Sequence, residues 1–242
     1  MEVIKSPTNK KIKKLSKLLL KKEREKEKMF LVEGKHLVEE ANKSGTLLEI
    51  IKTEDYDFDS TIPTTLVTYD VIKKLTNSVT PQKIIGVVKY IEEQEIGDKI
   101  LILDNIQDPG NLGTIIRSSV AFNVSTIVLS NDTVDIYNDK VLRSSEGMIF
   151  HINIIKRELE SFLEELHTKN FQIYGTKVDG GKKIKDLNID ANKIAIIMGN
   201  EAKGVNERLL KKCDNFLYIP MNKACESLNV GVATSIILYE LF

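Results

Sequence analysis

Cysteine and histidine are scarce in this chain of 242 residues. The two cysteines, Cys213 and Cys225, are too few for a disulfide scaffold and have no neighbours at zinc-ligand spacing. The three histidines, His36, His151 and His167, are scattered, without a partner at the spacing of a metal site or catalytic triad. These absences predict a metal-free chemistry based on other residues, in a protein of the reducing cytoplasm.

Long apolar runs are also missing. No window approaches ~18 consecutive apolar residues, which excludes a transmembrane helix. The N-terminus is charged and has no apolar core of a secretory signal. A hydrophobic content of 42% is typical of a folded globular protein, and the length suffices for two domains.

Two phosphate-binding patterns are absent as well. The GxxxxGK[ST] loop does not occur, which disfavours an ATPase or GTPase. The GxGxxG turn is missing too, which disfavours a nicotinamide-dependent enzyme.

What is present is an uneven charge distribution. The whole chain has 35 basic and 35 acidic residues, but residues 1–35 contain 12 Lys and Arg against 5 Asp and Glu, a net charge of +7 that leaves −7 on the remainder. This asymmetry favours a polyanionic partner at the N-terminal end. A solvated basic helix is the other interpretation, because four apolar residues there form a plausible buried stripe: Ile12, Leu15, Leu18 and Leu19.

Alternation of apolar strands and amphipathic helices predicts an α/β fold in two domains. A small N-terminal α/β domain is expected at residues 1–95, and a second α/β domain with a mostly parallel sheet at 98–242, joined by the polar stretch Glu92–Lys99. Apolar runs predict these strands: Met29–Glu33, Leu47–Lys52, Leu66–Tyr69, Ile84–Tyr90, Ile100–Leu103, Thr126–Leu129, Phe171–Gly175, Lys193–Met198 and Phe216–Ile219.

Three polar or glycine-rich segments follow strands of the second domain: Asp104–Gly113, Gly199–Gly204 and Met221–Asn229. Ligands of parallel sheets gather at the carboxyl ends of strands, so we expect a site there. Taken singly, each segment has a simpler interpretation. The first could be only a tight turn before a helix from Thr114 to Phe122, and Ser227 could cap the last helix.

Together the three segments resemble the motifs of the SpoU/TrmH family of RNA ribose 2′-O-methyltransferases. The resemblance rests on three stretches in the family's order: NLGTIIR at 111–117, IMGNEAKG at 197–204, and IPM at 219–221 followed by SLNV at 227–230. It spans residues 98 to the end. The lysine-rich opening also looks like the RNA substrate-binding domain that precedes the catalytic domain in many members.

The resemblance implies a SPOUT-type fold in which the C-terminal chain forms a trefoil knot. It also implies S-adenosylmethionine as cofactor and a homodimer. The residues at the family's donor-binding positions are Gly199, Ile219 and Leu228, and those at its functional polar positions are Asn111, Arg117, Glu201, Ser227 and Asn229. A Gly199→Val substitution is expected to block donor binding while leaving most of the fold intact.

Arg117 stands where the family places the activator of the ribose hydroxyl. A guanidinium stays protonated, so stabilisation of the developing alkoxide or anchoring of the adjacent phosphate is preferred over a role as base. Lys223 departs from the family pattern, because many members have glycine at that position.

The leading hypothesis is therefore a cytoplasmic RNA 2′-O-ribose methyltransferase, with ribosomal RNA favoured over tRNA as substrate. No membrane and no metal are expected to take part. Two alternatives stay open: a noncatalytic RNA-binding or ribosome-assembly factor that has kept the fold, and a methyltransferase of the same fold that acts on a base.

Overall fold

Two β-sheets organise the chain in the computed structural model, which describes residues 3–178, 182–183 (backbone only) and 193–242. The chain divides into two compact units. The first unit contains Met1–Glu92 together with Tyr137–Phe150, and the second contains Glu93–Ile136 and His151–Phe242. The segment Tyr137–Phe150 thus belongs to the first unit, although it lies within the stretch expected to form the second domain.

The elements of the described residues alternate along most of the chain. The helices are α1 (Lys10–Ser16), α2 (Lys21–Glu27), α3 (Lys35–Lys43), α4 (Tyr69–Lys74), α5 (Pro109–Ala121), α6 (Asp139–Ser144), α7 (Leu159–Thr168), α8 (Glu207–Leu210) and α9 (Val230–Leu241). The strands are β1 (Met29–Glu33), β2 (Leu47–Thr53), β3 (Thr64–Val67), β4 (Ile84–Lys89), β5 (Lys99–Leu103), β6 (Thr126–Leu129), β7 (Asn153–Lys156), β8 (Gln172–Thr176), β9 (Lys182–Lys183), β10 (Ile194–Met198) and β11 (Asn215–Tyr218).

The sheet of the first unit has the strand order β1-β4-β2-β3. Strand β4 pairs antiparallel with both neighbours, and β2 pairs parallel with β3. Three apolar residues of the basic N-terminal segment, Ile12, Leu15 and Leu18, are buried in one cluster with residues of this sheet and α4. The predicted buried stripe therefore exists, with Leu19 only half buried.

The basic segment is not one continuous helix. A 3₁₀ turn at Lys17–Leu19 follows α1, and Leu20 is extended with φ −93° and ψ 130° before α2 begins. Lys28, with φ 53°, ends α2 and leads into β1. A further difference concerns β3, which ends at Val67, so that Tyr69 begins α4 and does not extend the strand.

The sheet of the second unit has the order β7-β6-β5-β10-β8-β11-β9, and each of these neighbouring pairs is parallel. All residues of β6 and β10 are buried, as expected of parallel strands that are covered on both faces. The predicted α/β class with a mostly parallel sheet is confirmed. The trefoil knot concerns the path of the chain through a loop, which strand order does not test, so it stays a prediction.

Helix α5 begins five residues earlier than the sequence pattern indicated. Asp108 caps the helix by accepting a hydrogen bond from the Asn111 backbone N–H at 2.9 Å, and Pro109 occupies the first turn. An acidic cap followed by proline is a strong start signal, because proline has no N–H to leave unpaired. The glycines of this segment therefore lie in the helix and not in a loop. Strand β7 and helix α6, both short, were not predicted.

Candidate active site

Three segments meet at the carboxyl ends of β5 and β10. The Asp104 backbone N–H donates to the Met198 carbonyl at 2.9 Å, and the Asn200 side-chain amide donates to the Asn105 carbonyl at 2.8 Å. The Asn206 N–H donates to the Asp104 carboxylate at 2.8 Å. These bonds hold the segment after β10 against the segment after β5, as the parallel order of the two strands requires.

The turn after β10 closes on itself. Asn200 and Gly204 exchange two backbone hydrogen bonds of 3.0 and 2.8 Å, and the Asn200 side-chain oxygen accepts from the N–H groups of Ala202 and Lys203. A Cβ atom at Gly199 would lie 2.1 Å from backbone atoms of Gly204 and Val205. Any side chain at Gly199 therefore displaces this turn. That Gly199→Val blocks donor binding and leaves most of the fold intact stays a prediction.

A chain of side-chain hydrogen bonds joins one residue from each of the three predicted motifs. The Asn229 Nδ2 donates to Asn111 Oδ1 at 2.9 Å, and the Asn111 Nδ2 donates to Glu201 Oε1 at 2.9 Å. These partners are 118 and 90 positions apart in sequence. The fold thus brings Asn111, Glu201 and Asn229 into direct contact.

Asn229 also caps the last helix. Its Oδ1 accepts from the N–H groups of Gly231 and Val232 at 2.9 and 3.3 Å. The alternative in which Ser227 caps α9 is therefore wrong. The Ser227 hydroxyl is exposed and has no hydrogen-bond partner among the described residues, whereas the Ser227 carbonyl accepts from the Cys225 thiol at 3.3 Å.

A pocket of about 580 Å³ lies beside this chain of bonds, between the turn after β10 and the segment before α9. All three predicted donor-binding residues line it, as do Glu201 and Ser227. Its apolar wall includes Leu217, Val230, Ala233 and Ile237, and its charged residues are Lys177, Glu201, Lys203 and Glu226. The pocket thus combines an apolar wall with two carboxylates. Its lining includes Gly199, Ile219 and Leu228.

Arg117 is exposed on α5, outside the pocket lining and outside the hydrogen-bond chain. It has no hydrogen bond or ion pair with any residue that the structure describes. Lys223 is likewise exposed and unpaired within the described ranges. Both cations are available to a partner molecule.

Two residues that support the site were missed by the sequence interpretation, Asp104 and Asn200. Burial raises the pKa of the Asp104 carboxyl, and the nearby charge of Asp132 adds to the rise, while the hydrogen bond from the Asn206 N–H opposes both. Asp104 follows a fully apolar run directly, and that position was the available signal. Within residues 3–178, 182–183 and 193–242, no cluster of three His, Cys, Asp or Glu side chains suits a metal ion.

No helix among the described residues has both the length and the apolar character needed to cross a membrane.

Two family models match the chain. Residues 98–239 match the SpoU rRNA methylase family, and residues 9–86 match the MRM3-like substrate-binding domain. The first match contains every residue of the hydrogen-bond chain and of the predicted donor site.

Individual proteins are similar over nearly their whole length. The chain is 40% identical to the 23S rRNA (guanosine(2553)-2′-O)-methyltransferase RlmP of Bacillus subtilis, over 100% of this chain and 99% of that protein. An AdoMet-bound rRNA methyltransferase from Sinorhizobium meliloti superposes with a TM-score of 0.87 at 26% identity, over 99% of this chain and 97% of that one. A solved RNA 2′-O ribose methyltransferase has a TM-score of 0.85 at 27% identity, over 99% and 98% of the two chains.

Proposed function

Because this chain belongs to the SpoU rRNA methylase family, we propose that it transfers a methyl group from S-adenosylmethionine to the 2′-hydroxyl of a ribose in ribosomal RNA. The observation that carries the proposal is the hydrogen-bond chain from Asn229 through Asn111 to Glu201 at the border of the pocket. It joins the three motifs into one polar site beside a cavity of suitable size.

The pocket suits S-adenosylmethionine in both size and chemistry. A volume of about 580 Å³ lies within the range of small-molecule sites, and the apolar wall can cover an adenosine. When bound, this donor supplies a methyl group activated by a sulfonium cation. The lining carries two carboxylates and two ammonium groups, so Glu201 and Glu226 can face the sulfonium of the donor while Lys177 and Lys203 can face its carboxylate. We assign Gly199, Ile219 and Leu228 to donor binding.

The polar residues position the ribose and the donor relative to each other. Asn111 uses its oxygen and its N–H₂ group within the hydrogen-bond chain and so fixes the orientation of Glu201. Each amide N–H₂ group retains one further donor. Such positioning favours transfer, because it removes the entropy cost of bringing two reactants together. Ser227 lines the pocket, and its hydroxyl has no hydrogen-bond partner among the described residues, so we assign it a contact with the substrate.

Arg117 acts on the RNA in this proposal. Its guanidinium is permanently charged and unpaired within the described residues, so it can stabilise the alkoxide that develops as the 2′-hydroxyl loses its proton, or hold the adjacent phosphate. Because arginine cannot accept a proton, another acceptor must take the proton from the hydroxyl.

The substrate is proposed to be ribosomal RNA in the cytoplasm. The relative from Bacillus subtilis is a 23S rRNA methyltransferase by name, and the match to it covers both units. The basic N-terminal segment lies within the first unit, which carries the substrate-binding-domain match.

A second copy of the chain is the proposed partner of α9. Val232, Ile236 and Tyr239 are 49%, 36% and 70% exposed and follow one another at the i, i+4, i+7 spacing of a single helix face. An apolar stripe of this kind is typical of an interface. We propose that two copies cover these stripes in a homodimer.

The experiment that tests the function compares ribose methylation across the total RNA of the source organism with and without the gene. Loss of a single 2′-O-methyl group from 23S rRNA, restored by the wild-type gene, is the expected result. A gene that encodes Asn111→Ala removes both side-chain hydrogen bonds of Asn111. If it restored the methyl group, a catalytic role for the hydrogen-bond chain would be contradicted. An unchanged methylation map would contradict the proposed function, and loss of a base methyl group would reassign the reaction.

A further inference from the structure

The first unit has a groove of its own, of about 710 Å³, that shares no lining residue with the donor pocket. One side is the turn from β1 into α3, and the other is the segment that precedes β4, residues 77–82. We call this cavity the amide groove, because the amides of Asn77 and Gln82 line it together with Lys35, His36, Val79 and Arg143.

An internal carboxylate holds the groove in shape. Glu33 accepts hydrogen bonds from the Thr76 hydroxyl, from the Ser78 hydroxyl at 2.7 Å, and from the Gln82 N–H at 2.8 Å. Gly34 has φ 97°, and a Cβ there would lie 2.7 Å from the Gln82 side chain. The segment before β4 is therefore fixed to the end of β1, and the Glu33 carboxylate is engaged in this structural role.

The charges around the groove argue against a phosphate ligand. Lys35 and Arg143 are balanced by Glu33 and Glu146 within the lining. Arg143 also forms an ion pair with Asp139 at 3.0 Å. With no excess of positive charge, the groove lacks the main attraction that proteins use for nucleic-acid backbones.

Several groups are left free for a neutral polar ligand. The side-chain amides of Asn77 and Gln82 are exposed and have no hydrogen-bond partner among the described residues. Each amide offers both donors and an acceptor, as the edge of a nucleobase does. Val79 lies between these two residues in sequence. It is 98% exposed and presents an apolar surface that can pack on the face of a base.

We propose that the amide groove binds an unpaired nucleotide of the RNA substrate. Asn77 and Gln82 hydrogen-bond to the edge of its base, and Val79 packs against the face. Proteins that recognise RNA by sequence bind mostly to single-stranded loops and bulges, because the bases there expose edges and faces that a duplex hides. The proposal rests on the proposed function, and it locates recognition of the target sequence in the first unit.

The kinetic test uses radiolabelled S-adenosylmethionine and an unmodified 23S rRNA transcript. The double variant Asn77→Ala/Gln82→Ala is expected to raise the KM for RNA about tenfold, the effect of losing two neutral hydrogen bonds. The kcat and the donor Kd should stay at the wild-type values. Asn42→Ala, which removes an exposed amide from the same unit, is the matched control.

The binding test compares RNA hairpins that have an open loop with fully paired duplexes of equal length, by fluorescence anisotropy. Wild-type protein should prefer the hairpins, and the double variant and Val79→Ala should lose that preference without a change in salt dependence. If both variants kept the wild-type KM for RNA and the wild-type preference for hairpins over duplexes, the proposal would be overturned. An equal loss on duplex and hairpin would also overturn it. If wild-type protein does not methylate rRNA, the proposed function fails, and the hairpin comparison still decides the groove.

Discussion

At the scale of single residues, the candidate site depends on amide groups that donate and accept at the same time. Asn229 accepts from two N–H groups of α9 through Oδ1 and donates to Asn111 through Nδ2. Asn111 accepts that bond and donates to Glu201. A carboxylate at either position could not donate, and at position 111 it would face the Glu201 carboxylate directly. The amide satisfies both neighbours at once.

Arg117 is predicted to act in the reaction and not in donor binding. Arg117→Ala should lower kcat at least ~10²-fold, because one positioned catalytic group is lost. The donor Kd, measured by calorimetry, should not change, since Arg117 does not line the pocket. Arg117→Lys should recover little, because an ammonium lacks the planar fork of a guanidinium. Arg208→Ala is the control, and near-normal turnover in Arg117→Ala would remove Arg117 from the mechanism.

Asp104 is predicted to make stability depend on pH. Its pKa is raised in the folded state, so as pH rises above about 3.8 the Asp104 carboxyl ionises first in the unfolded chain. The contribution of this carboxyl to the free energy of unfolding is present below that pH and is lost as pH rises through the folded pKa. Asp104→Asn keeps an oxygen that accepts from the Asn206 N–H and removes the buried charge.

We therefore expect the free energy of unfolding of Asp104→Asn at pH 7 to equal or exceed that of wild type, with less decline between pH 4 and 7. Denaturant unfolding at several pH values measures this difference. The exposed Asp98 provides the control substitution, Asp98→Asn. A steeper decline in Asp104→Asn than in wild type would show that the carboxylate is needed in its charged form.

At the scale of elements, ion pairing divides the basic N-terminal helices into two sets of lysines. Lys11 pairs with Glu49, and Lys14 pairs with Glu27 at 3.2 Å. Lys10, Lys13 and Lys17 have no ion-pair partner among the described residues. Lys10 and Lys13 lie on α1, and Lys17 begins the 3₁₀ turn that follows it. These three lysines, unpaired within the described residues, are therefore among the groups of the segment that can attract phosphates.

The triple variant Lys10→Ala/Lys13→Ala/Lys17→Ala is predicted to weaken RNA binding and flatten its salt dependence. Each lost phosphate contact should reduce the slope of log K against log salt by about 0.7 on single strands. Titrations at several salt concentrations measure this slope. The control removes three lysines of the same unit that form ion pairs, Lys26, Lys73 and Lys83. If the two triple variants changed RNA affinity and its salt slope equally, Lys10, Lys13 and Lys17 would act only through the net charge of the protein.

The pocket wall offers a cleaner test of donor binding than Gly199 does. Ala233 is half buried on α9 and lines the pocket, so Ala233→Leu fills donor space from the helix and does not alter a residue of the turn at Gly199–Gly204. The donor Kd should rise at least about tenfold, because overpacking of a well-formed site costs about 1–3 kcal/mol. Calorimetry measures the Kd, and thermal unfolding checks the fold. Wild-type affinity in a folded variant would contradict the assignment of the pocket.

At the scale of the whole molecule, the two units are not two consecutive pieces of sequence. Tyr137 belongs to the first unit, where its ring centroid lies 4.4 Å from that of Phe30 and 4.1 Å from that of Tyr90. Val141, Leu142 and Ile149 of the same segment are buried. The chain thus returns to the first unit after β6, and truncation of the chain at residue 95 would remove part of the core of that unit.

The proposed homodimer has a direct test in solution. The double variant Val232→Asp/Tyr239→Asp places two charges on the exposed stripe of α9, where they would be costly to bury in an interface. Light scattering after gel filtration should give the mass of a dimer for wild type and of a monomer for the variant. Leu48→Asp, at a 43% exposed residue of the first unit, is the control. A monomeric wild type would contradict the proposed dimer.

The α/β class, the parallel sheet and two of the segments that line the pocket, Gly199–Gly204 and Met221–Asn229, follow from the sequence alone. Short apolar runs rich in β-branched residues, such as Ile100–Leu103 and Ile194–Met198, favour buried strands, and polar segments that follow parallel strands meet at one sheet edge. The motif order then identified the residue types of the site. These features depend on local pattern or on a rule of topology.

Tertiary structure decided which side chains touch. Asn111 bonds to Asn229 and Glu201 across 118 and 90 positions. Lys11 and Lys14 pair with carboxylates, whereas Lys10 has no such partner in the part of the chain that the structure describes, and Tyr137 joins the first unit. Local spacing carries no information about such partners, because each depends on how elements distant in sequence pack. The turn at Gly199 shows the same limit, since only the folded backbone reveals that no side chain fits there.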